Sequence, residues 1–196
     1  MANEIEIAGQ RFTTFDGASG QGRSFIKTDR MTNAVITIDY SHHEIHGGSH
    51  FKAGFQDSAM NTSETIEIMF VTPDTTKHAH WSLTAQSSGA ATVEVYEGGT
   101  ATGGTAVTIW NRNRNSDNTA GVTVFHTPSI TADGTKMATK WIGGSGFRTD
   151  VSGEHRGDSE FILKQNTKYI VRATANADGI KVAIGGDWYE HEQATD

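Results

Sequence analysis

The sequence contains no cysteine and only two prolines among its 196 residues. Without cysteine the chain has no disulfide, no thiolate nucleophile and no cysteine-based zinc site. Hydrophobic residues are also scarce, at 35%, and glycine, threonine, asparagine and serine take their place. This mixture, with so little proline, is typical of turn-rich β proteins and not of helical bundles. The length suits one domain, or one domain with an arm.

Long apolar runs and excess positive charge are missing too. No stretch approaches the roughly 18–20 consecutive apolar residues that span a bilayer, and the first residues, MANEIEIAGQRF, carry acids where a signal peptide needs a positive region. We therefore expect a soluble protein without a membrane partner or an export signal. Lys and Arg total 16 against 23 Asp and Glu, a net charge of -7. Because this charge repels nucleic acid at long range, no nucleic-acid partner is expected.

The polar, glycine-dotted residues 1–30 are predicted to form an N-terminal arm, and residues 31–196 a β-sandwich domain. The segment GASGQGRS at 17–24 is expected to be a flexible link. Two short apolar alternations, at 5–7 and 25–26, would pair only on another surface. The arm therefore either docks on a partner or is a frayed terminus.

Short β-branched or alternating segments recur along the domain at turn spacings near ten residues. We predict strands at 34–40, 51–55, 65–71, 78–85, 91–96, 122–125, 161–163, 169–173 and 180–184. Residues 41–50 are expected to continue the first strand into a turn at Gly47 and Gly48, and 135–142 is either a strand or one helical turn. No run has a helical period. The sequence thus predicts an all-β, jelly-roll-like β-sandwich with long glycine- and asparagine-rich loops at 96–121 and 143–158.

The first of these loops contains the candidate partner-binding residues. Two glycine pairs, at 98–99 and 103–104, indicate tight backbone excursions, and a polar run follows around a single tryptophan. Arginine presents a planar fork that matches carboxylate and carbonyl oxygens, and asparagine orders turns. We predict an ordered recognition loop, with a solvated surface loop as the alternative. The candidate contact residues are Trp110, Asn111, Arg112, Asn113, Arg114 and Asn115.

The other tryptophans lie on predicted strands. Trp81, Trp141 and Trp188 are expected to be core or subunit-contact residues. Aromatic rings beside polar loops also stack on sugar rings, so a glycan-binding surface is a second possibility.

Nine histidines raise the question of a metal site. His78 and His80 alternate on a predicted strand and so share one face, as in the cupin metal motif, but the glutamate of that motif is missing here. His43 and His46 are one residue short of the zincin HExxH and lie in a predicted β context. We therefore predict no metal and no cofactor. The histidines weighed as ligands are His42, His43, His46, His50, His78 and His80.

Sequence motifs typical of enzyme active sites are missing as well. The sequence has no GxSxG elbow for a serine nucleophile. Its glycine-rich stretch GGTATGG lacks the lysine of a phosphate-binding loop. We predict that the protein is not an enzyme.

Five segments together resemble a family of small structural proteins from the virions of tailed bacteriophages. They are IDYSHHEIHGGSHF at 38–51, VTPDTTKHAHWSL at 71–83, YEGGTATGGTAVTIWNRNRNS at 96–116, LKQNTKYIVRATANADG at 163–179 and DWYEH at 187–191. The resemblance implies a capsid decoration or cement protein on the phage head surface, bound to the major capsid protein after assembly in the host bacterial cytoplasm. It also implies a homo-oligomer, with a trimer favoured over a dimer.

Other classes of function remain open on these residues. A phage tail or head-fibre module that binds a glycan or receptor is the main alternative, and a metal enzyme is a further one. On the virion interpretation, the WNRNRN loop and the N-terminal arm are the expected assembly contacts.

Overall fold

The structure is a computed structural model that describes residues 4–7, 10–13, 31, 40–143 and 160–192. The chain divides into two units, Met1–Asp39 and Tyr40–Asp196. In the first unit, strand β1 (Glu4–Ile7) pairs antiparallel with β2 (Gln10–Thr13). The prediction that residues 5–7 pair only on another surface is therefore wrong, because a local hairpin supplies their partner. The predicted link at 17–24 and the apolar pair at 25–26 lie outside the described residues.

The second unit consists almost entirely of antiparallel strands. Since its strands carry β-branched and aromatic residues at alternate positions, each presents one apolar face to a core. Its elements are α1 (Tyr40–Gly47), β3 (His50–Met60), β4 (Thr65–Val71), β5 (Lys77–Ser87), β6 (Ala91–Glu97), β7 (Thr100–Thr102), β8 (Thr105–Ala106), β9 (Trp110–Asn111), β10 (Thr123–His126), β11 (Ser129–Ala132), β12 (Thr135–Ile142), β13 (Glu160–Ile162), β14 (Lys168–Ala175) and β15 (Ile180–Glu192).

Eight of these strands form two four-stranded layers with jelly-roll topology. One layer has the order β13-β5-β15-β3 and the other β12-β6-β14-β4. Successive strands alternate between the layers except at β6 and β12, which are neighbours in one sheet, as two interlocked Greek keys require. The all-β sandwich predicted from the sequence is confirmed. Residues 135–142, left open between strand and helical turn, form the strand β12.

The chain between β6 and β12 is an insertion that widens both sheets. Strands β10 and β8 extend one sheet beyond β4, and β9 extends the other beyond β3. Strands β7 and β11 pair with each other. A small apolar cluster joins Ala101 of β7 to Met69, Tyr96 and Ile170 of the six-stranded sheet. The insertion is therefore packed onto the jelly roll, and it contains the predicted recognition loop.

The main core lies between the two sheets and centres on Trp188. This side chain is fully buried, and its ring contacts Phe70 edge to face with the centroids 5.8 Å apart. Trp81 also contacts Phe70. Of the core or subunit-contact roles expected for the three tryptophans, Trp81 and Trp188 take the core role. Trp141 is 77% exposed on β12 and is not a core residue, so a subunit contact at Trp141 stays a prediction.

Helix α1 differs from the sequence prediction. Tyr40 begins this helix and does not end a strand, so the expected strand continuation through residues 41–50 is wrong; residues 34–39 lie outside the described part. The helix ends in a Schellman motif, in which the Gly48 amide donates to the Ile45 carbonyl and the Ser49 amide to the Glu44 carbonyl. Gly48 adopts a φ of 74°, which glycine tolerates without strain. Among the described residues, no helix is long and apolar enough to cross a membrane.

An ion-pair network covers the outer face of the six-stranded sheet. Arg172 on β14 donates a hydrogen bond to Glu67 on β4 at 2.7 Å. It also donates to both carboxylate oxygens of Asp133, at 2.7 and 2.8 Å. The hydrogen bonds from Arg172 hold the pKa of Asp133 below its usual value. The network links β4, β14 and the turn before β12, so its role is structural.

Candidate functional site

The predicted recognition loop begins on β9, at the open edge of the five-stranded sheet. Asn111 faces Phe51 of β3 in register, and its side chain is only 7% exposed. Its Nδ2 donates to the carbonyls of Gly48 and Asn118, at 2.8 and 3.0 Å, while its Oδ1 accepts the Asn113 amide at 2.9 Å. Asn111 is therefore a brace inside the protein and does not face a partner.

Asn113 continues this bracing toward helix α1. Its Nδ2 donates to the carbonyl of His46 at 3.1 Å, and its Oδ1 accepts the amide of Asn115 at 3.1 Å. The Asn118 side chain also donates to the Gly48 carbonyl. The loop is thus ordered by asparagine side chains, as predicted, and is joined to the C-terminal end of the helix.

Arg112 is held by Asp187, a partly buried carboxylate on the sheet beneath it. Its Nη1 lies 3.2 Å from Oδ2 of Asp187. The other oxygen of Asp187 lies 2.6 Å from Nε2 of the fully buried His50, whose Nδ1 faces the Ser41 carbonyl at 3.1 Å. Arg112, whose side chain is 42% exposed, is therefore tied to a network that joins the loop, helix and sheet.

Trp110 and Arg114 point the other way. Trp110 is 54% exposed, and the Arg114 guanidinium carbon lies 4.9 Å from the centre of its ring, a cation–π contact. Lys52 is the cross-strand neighbour of Trp110 and is also exposed. Among the described residues, neither Lys52 nor Arg114 forms an ion pair with a carboxylate. We call Lys52, Trp110 and Arg114 the Trp110 patch, a cationic and aromatic surface on a chain of net charge -7.

The six predicted contact residues therefore divide into three groups. Asn111 and Asn113 brace the loop. Arg112 is exposed but ion-paired with Asp187, and Trp110, Arg114 and the exposed Asn115 face outward. That this outward group binds a partner stays a prediction. Lys52 was missed by the sequence argument because only strand pairing places it beside Trp110.

A shallow depression on the same sheet begins beside Lys52. Its volume is about 220 Å³, and its floor is the backbone where β3, β15 and β5 run side by side. Gly54 pairs with Gly185 there, and Gly54 contributes only backbone to the lining. Thr84 and Gln56 are among its polar lining residues, and Ala183 is among the apolar ones. The depression adjoins the Trp110 patch through Lys52.

A second group of polar and aromatic side chains lies near the C-terminal end of β15. The Nε2 atoms of His80 and His191 are 2.8 Å apart, and Nδ1 of His80 lies 2.9 Å from the Glu160 carboxylate. The Tyr189 ring stacks on His80 with the planes 15° apart, and its hydroxyl donates to Glu160 at 3.0 Å. The half-exposed Tyr40 covers the group, with its ring 5.8 Å from those of Tyr189 and His191. We call His80, His191, Tyr189 and Glu160 the imidazole cluster.

The sequence identified His80 but not its partners. Alternation places His78 and His80 on one face of β5, as predicted, yet the strand opposite is β15, where His191 pairs with His78 in register and Tyr189 with His80. These partners are more than 100 residues away in the chain. No local spacing signals such a contact.

The histidines of residues 41–50 lie on a helix and not on a strand. His42 and His46 are one turn apart, with their Nε2 atoms 3.1 Å apart on the exposed face of α1. The prediction that residues 41–50 are extended, which would keep these histidines off a common helical face, is therefore wrong. The zincin motif is still one residue short. In the parts of the chain that the structure describes, no three His, Cys, Asp or Glu side chains are grouped to hold a metal ion.

Burial and hydrogen bonding compete at Glu44, the buried residue of α1. Burial raises the pKa of this carboxyl, but hydrogen bonds from Ser49, His43 and Tyr40 outweigh it and leave the pKa below its usual value. The ionised carboxylate ties the helix to the start of β3. Its role is therefore to fix the helix on which the exposed histidines lie.

Comparisons of the chain with protein-family models, with curated proteins and with solved structures find no match.

Proposed function

We propose that this protein is a virion structural protein, a capsid decoration or cement protein that attaches to the head surface of a tailed bacteriophage. Its partner on this proposal is the major capsid protein, and it acts by binding and not by catalysis. The proposal draws on the sequence segments that resemble phage virion proteins. It places the protein on particles assembled in the host bacterial cytoplasm, as a homo-oligomer with a trimer favoured over a dimer.

The observation that carries the proposal is the Trp110 patch. A large aromatic side chain is held half exposed by a short strand, between two cations that lack carboxylate partners among the described residues. Tryptophan and arginine are the residue types that dominate binding energy at interfaces. Because the asparagine braces fix the loop before binding, little conformational entropy is lost when a partner docks. A partner surface with an apolar pocket and flanking carboxylates would fit the patch.

A decoration protein binds a particle in many copies, so the contact made by each copy need only be of modest affinity. Copies bound at symmetry-related positions, linked to each other within an oligomer, gain avidity without any further contact per copy. The N-terminal arm, residues 1–30, is proposed as a second attachment.

The test is the binding of purified protein to phage particles assembled without it. Changing Trp110 and Arg114 to alanine together should weaken attachment by at least about 30-fold, the loss expected for a single interface anchor worth roughly 2 kcal/mol. The matched control is Trp141→Ala, which removes an exposed tryptophan from the other sheet and should leave attachment unchanged. Bound copies are counted from the ratio to major capsid protein and from cryo-EM density. Full occupancy by the double variant would contradict the role of the patch, and deletion of residues 1–30 tests the arm in the same way.

A second function is favoured by the depression beside Lys52. A phage tail or head-fibre module could stack a sugar ring on Trp110 and direct sugar hydroxyls toward Thr84 and Lys52 in the adjoining opening. A glycan array probed with the isolated protein separates the two functions. Saturable glycan binding that Trp110→Ala abolishes, with no attachment to particles, would replace the first proposal by the second.

A further inference from the structure

We propose that His80 and His191 form a binding site for a divalent transition-metal ion of the zinc and copper class. The site is independent of the Trp110 patch and goes beyond the function proposed above. Its ligand atoms are the two Nε2 nitrogens, which point at each other from neighbouring strands 2.8 Å apart.

The distance between the nitrogens is close to the one that a shared ion needs. With metal–nitrogen bonds of about 2.0–2.1 Å and tetrahedral angles, two imidazole ligands lie about 3.3 Å apart. The pair must therefore open by about half an ångström. A side-chain torsion supplies this movement, so the strands stay in place.

Glu160 holds His80 in the form that a metal ion requires. A carboxylate only accepts, so Nδ1 of His80 carries the proton and Nε2 turns its lone pair toward His191. Metal-binding histidines commonly have such a carboxylate behind them, which fixes the ring and makes the free nitrogen more basic. Tyr189 steadies the same carboxylate from a second side at 3.0 Å. In the metal-free pair the Nε2 of His191 donates its proton to the Nε2 of His80 across 2.8 Å, so His191 has to take the tautomer with the proton on Nδ1 when the ion binds.

The surrounding rings restrain both ligands before an ion arrives. Tyr189 stacks on His80, and Tyr40 contacts His191 edge to face. The His80 side chain is 12% exposed, so an ion reaches the pair from solvent without the core opening. Restrained ligands lose little freedom on binding.

The ligand set decides which ions fit. Imidazole nitrogens suit zinc, copper and nickel, whereas calcium and magnesium prefer oxygen ligands. No third protein ligand joins the pair among the described residues. Water completes the coordination, and such an open position is also where a side chain from a docked partner can bind.

The experiment is a calorimetric titration of the full-length protein with zinc chloride. We expect one Zn²⁺ at this pair. His80→Asn keeps a donor toward Glu160 but removes Nε2, and His191→Phe keeps the ring contacts with Tyr40 but removes the nitrogen. Each variant should weaken zinc binding at least tenfold while its circular dichroism and melting temperature stay close to those of the wild type.

The exposed pair on α1 supplies the matched control. Changing His42 and His46 to glutamine together removes a second close pair of imidazoles among the described residues and should leave the affinity of the proposed site unchanged. Nitrogen NMR of the wild-type protein provides a measurement that needs no variant, because zinc should shift the Nε2 resonances of His80 and His191. The proposal is overturned by zinc binding lost only in the α1 variant, by unshifted Nε2 resonances, or by no binding at all.

Discussion

Replacing Asn111 by alanine should loosen the loop that presents Trp110, and the size of the effect follows from three hydrogen bonds. The amide side chain is 7% exposed and bonds the Gly48 carbonyl, the Asn118 carbonyl and the Asn113 amide at 2.8–3.0 Å. A buried hydrogen bond contributes a net 0.5–1.5 kcal/mol or so, and its orphaned partner costs more. Loss of all three bonds should therefore cost about 2–4 kcal/mol.

Which assay detects this loss of stability depends on whether the loop unfolds together with the sandwich or opens alone. If the loop and the sandwich unfold together, the melting temperature should fall by roughly 4–16 °C, since 1 kcal/mol corresponds to about 2–4 °C in a domain of this size. If the loop opens alone, hydrogen exchange should accelerate at the Arg112 amide, which donates to the His50 carbonyl at 2.8 Å. A loss of 2 kcal/mol raises that exchange by about 30-fold.

The control for this experiment lies four residues along the same loop. Asn115 is exposed, and only its backbone amide takes part in the bracing, so Asn115→Ala should change neither assay. An Asn111→Ala protein with unaltered melting and unaltered exchange would refute the view that this side chain orders the loop. If the reasoning is correct, the same variant should also weaken attachment through the Trp110 patch without touching its side chains.

Two further predictions concern the core. Trp188→Ala should lower the free energy of unfolding in urea by about 3–5 kcal/mol because it removes the fully buried ring at the centre of the sandwich. Trp141→Ala, at a 77% exposed position, should stay within about 0.5 kcal/mol of the wild type. Equal effects of the two substitutions would contradict the packing described here. Burial, reinforced by the hydrogen bond to Glu97, raises the pKa of Tyr169 to about 12. The folded protein thus holds this proton more tightly than the unfolded chain, whose tyrosine pKa is about 10, so the stabilisation is complete below pH 10 and is lost as the pH rises toward 12. Urea midpoints should therefore decline across this range less steeply in Tyr169→Phe than in the wild type. Absorbance at 295 nm, which rises as tyrosine ionises, should show the late titration of Tyr169 in the wild type alone. Identical declines of the urea midpoint in the two proteins would rule out this residue as the cause.

The residue types of the WNRNRN loop predict that it is ordered but not which of its side chains are exposed. Asparagine and arginine around one tryptophan correctly indicate an ordered polar loop, because asparagine bonds to nearby backbone wherever it lies. They do not indicate which side chains face inward. Arg112 and Arg114 are equivalent in the sequence, yet among the described residues Arg112 alone of the two meets a carboxylate, because β15 brings Asp187 beneath it.

Helix α1 was missed for a related reason. Its residues, YSHHEIHG, have no apolar stripe and no strong preference for a helix. What holds the helix is its Schellman cap at Gly48, the hydrogen-bonded Glu44 and the contact with His50 beneath it. The cap and the Glu44 bonds are local, but without an apolar stripe they are weak signals for a helix of eight residues. The contact with His50 requires β3 to be in place, so a local pattern does not reveal it.

The class of the fold follows from the sequence, since the two-residue alternation of apolar side chains and the turn residues between strands are local properties of the chain. The polar loop around Trp110 and the shared face of His78 and His80 follow from it as well. That Lys52 lies beside Trp110 and that His191 meets His80 became visible in the folded protein alone. These contacts depend on the register between strands distant in the chain, and register is set by packing of the whole sandwich.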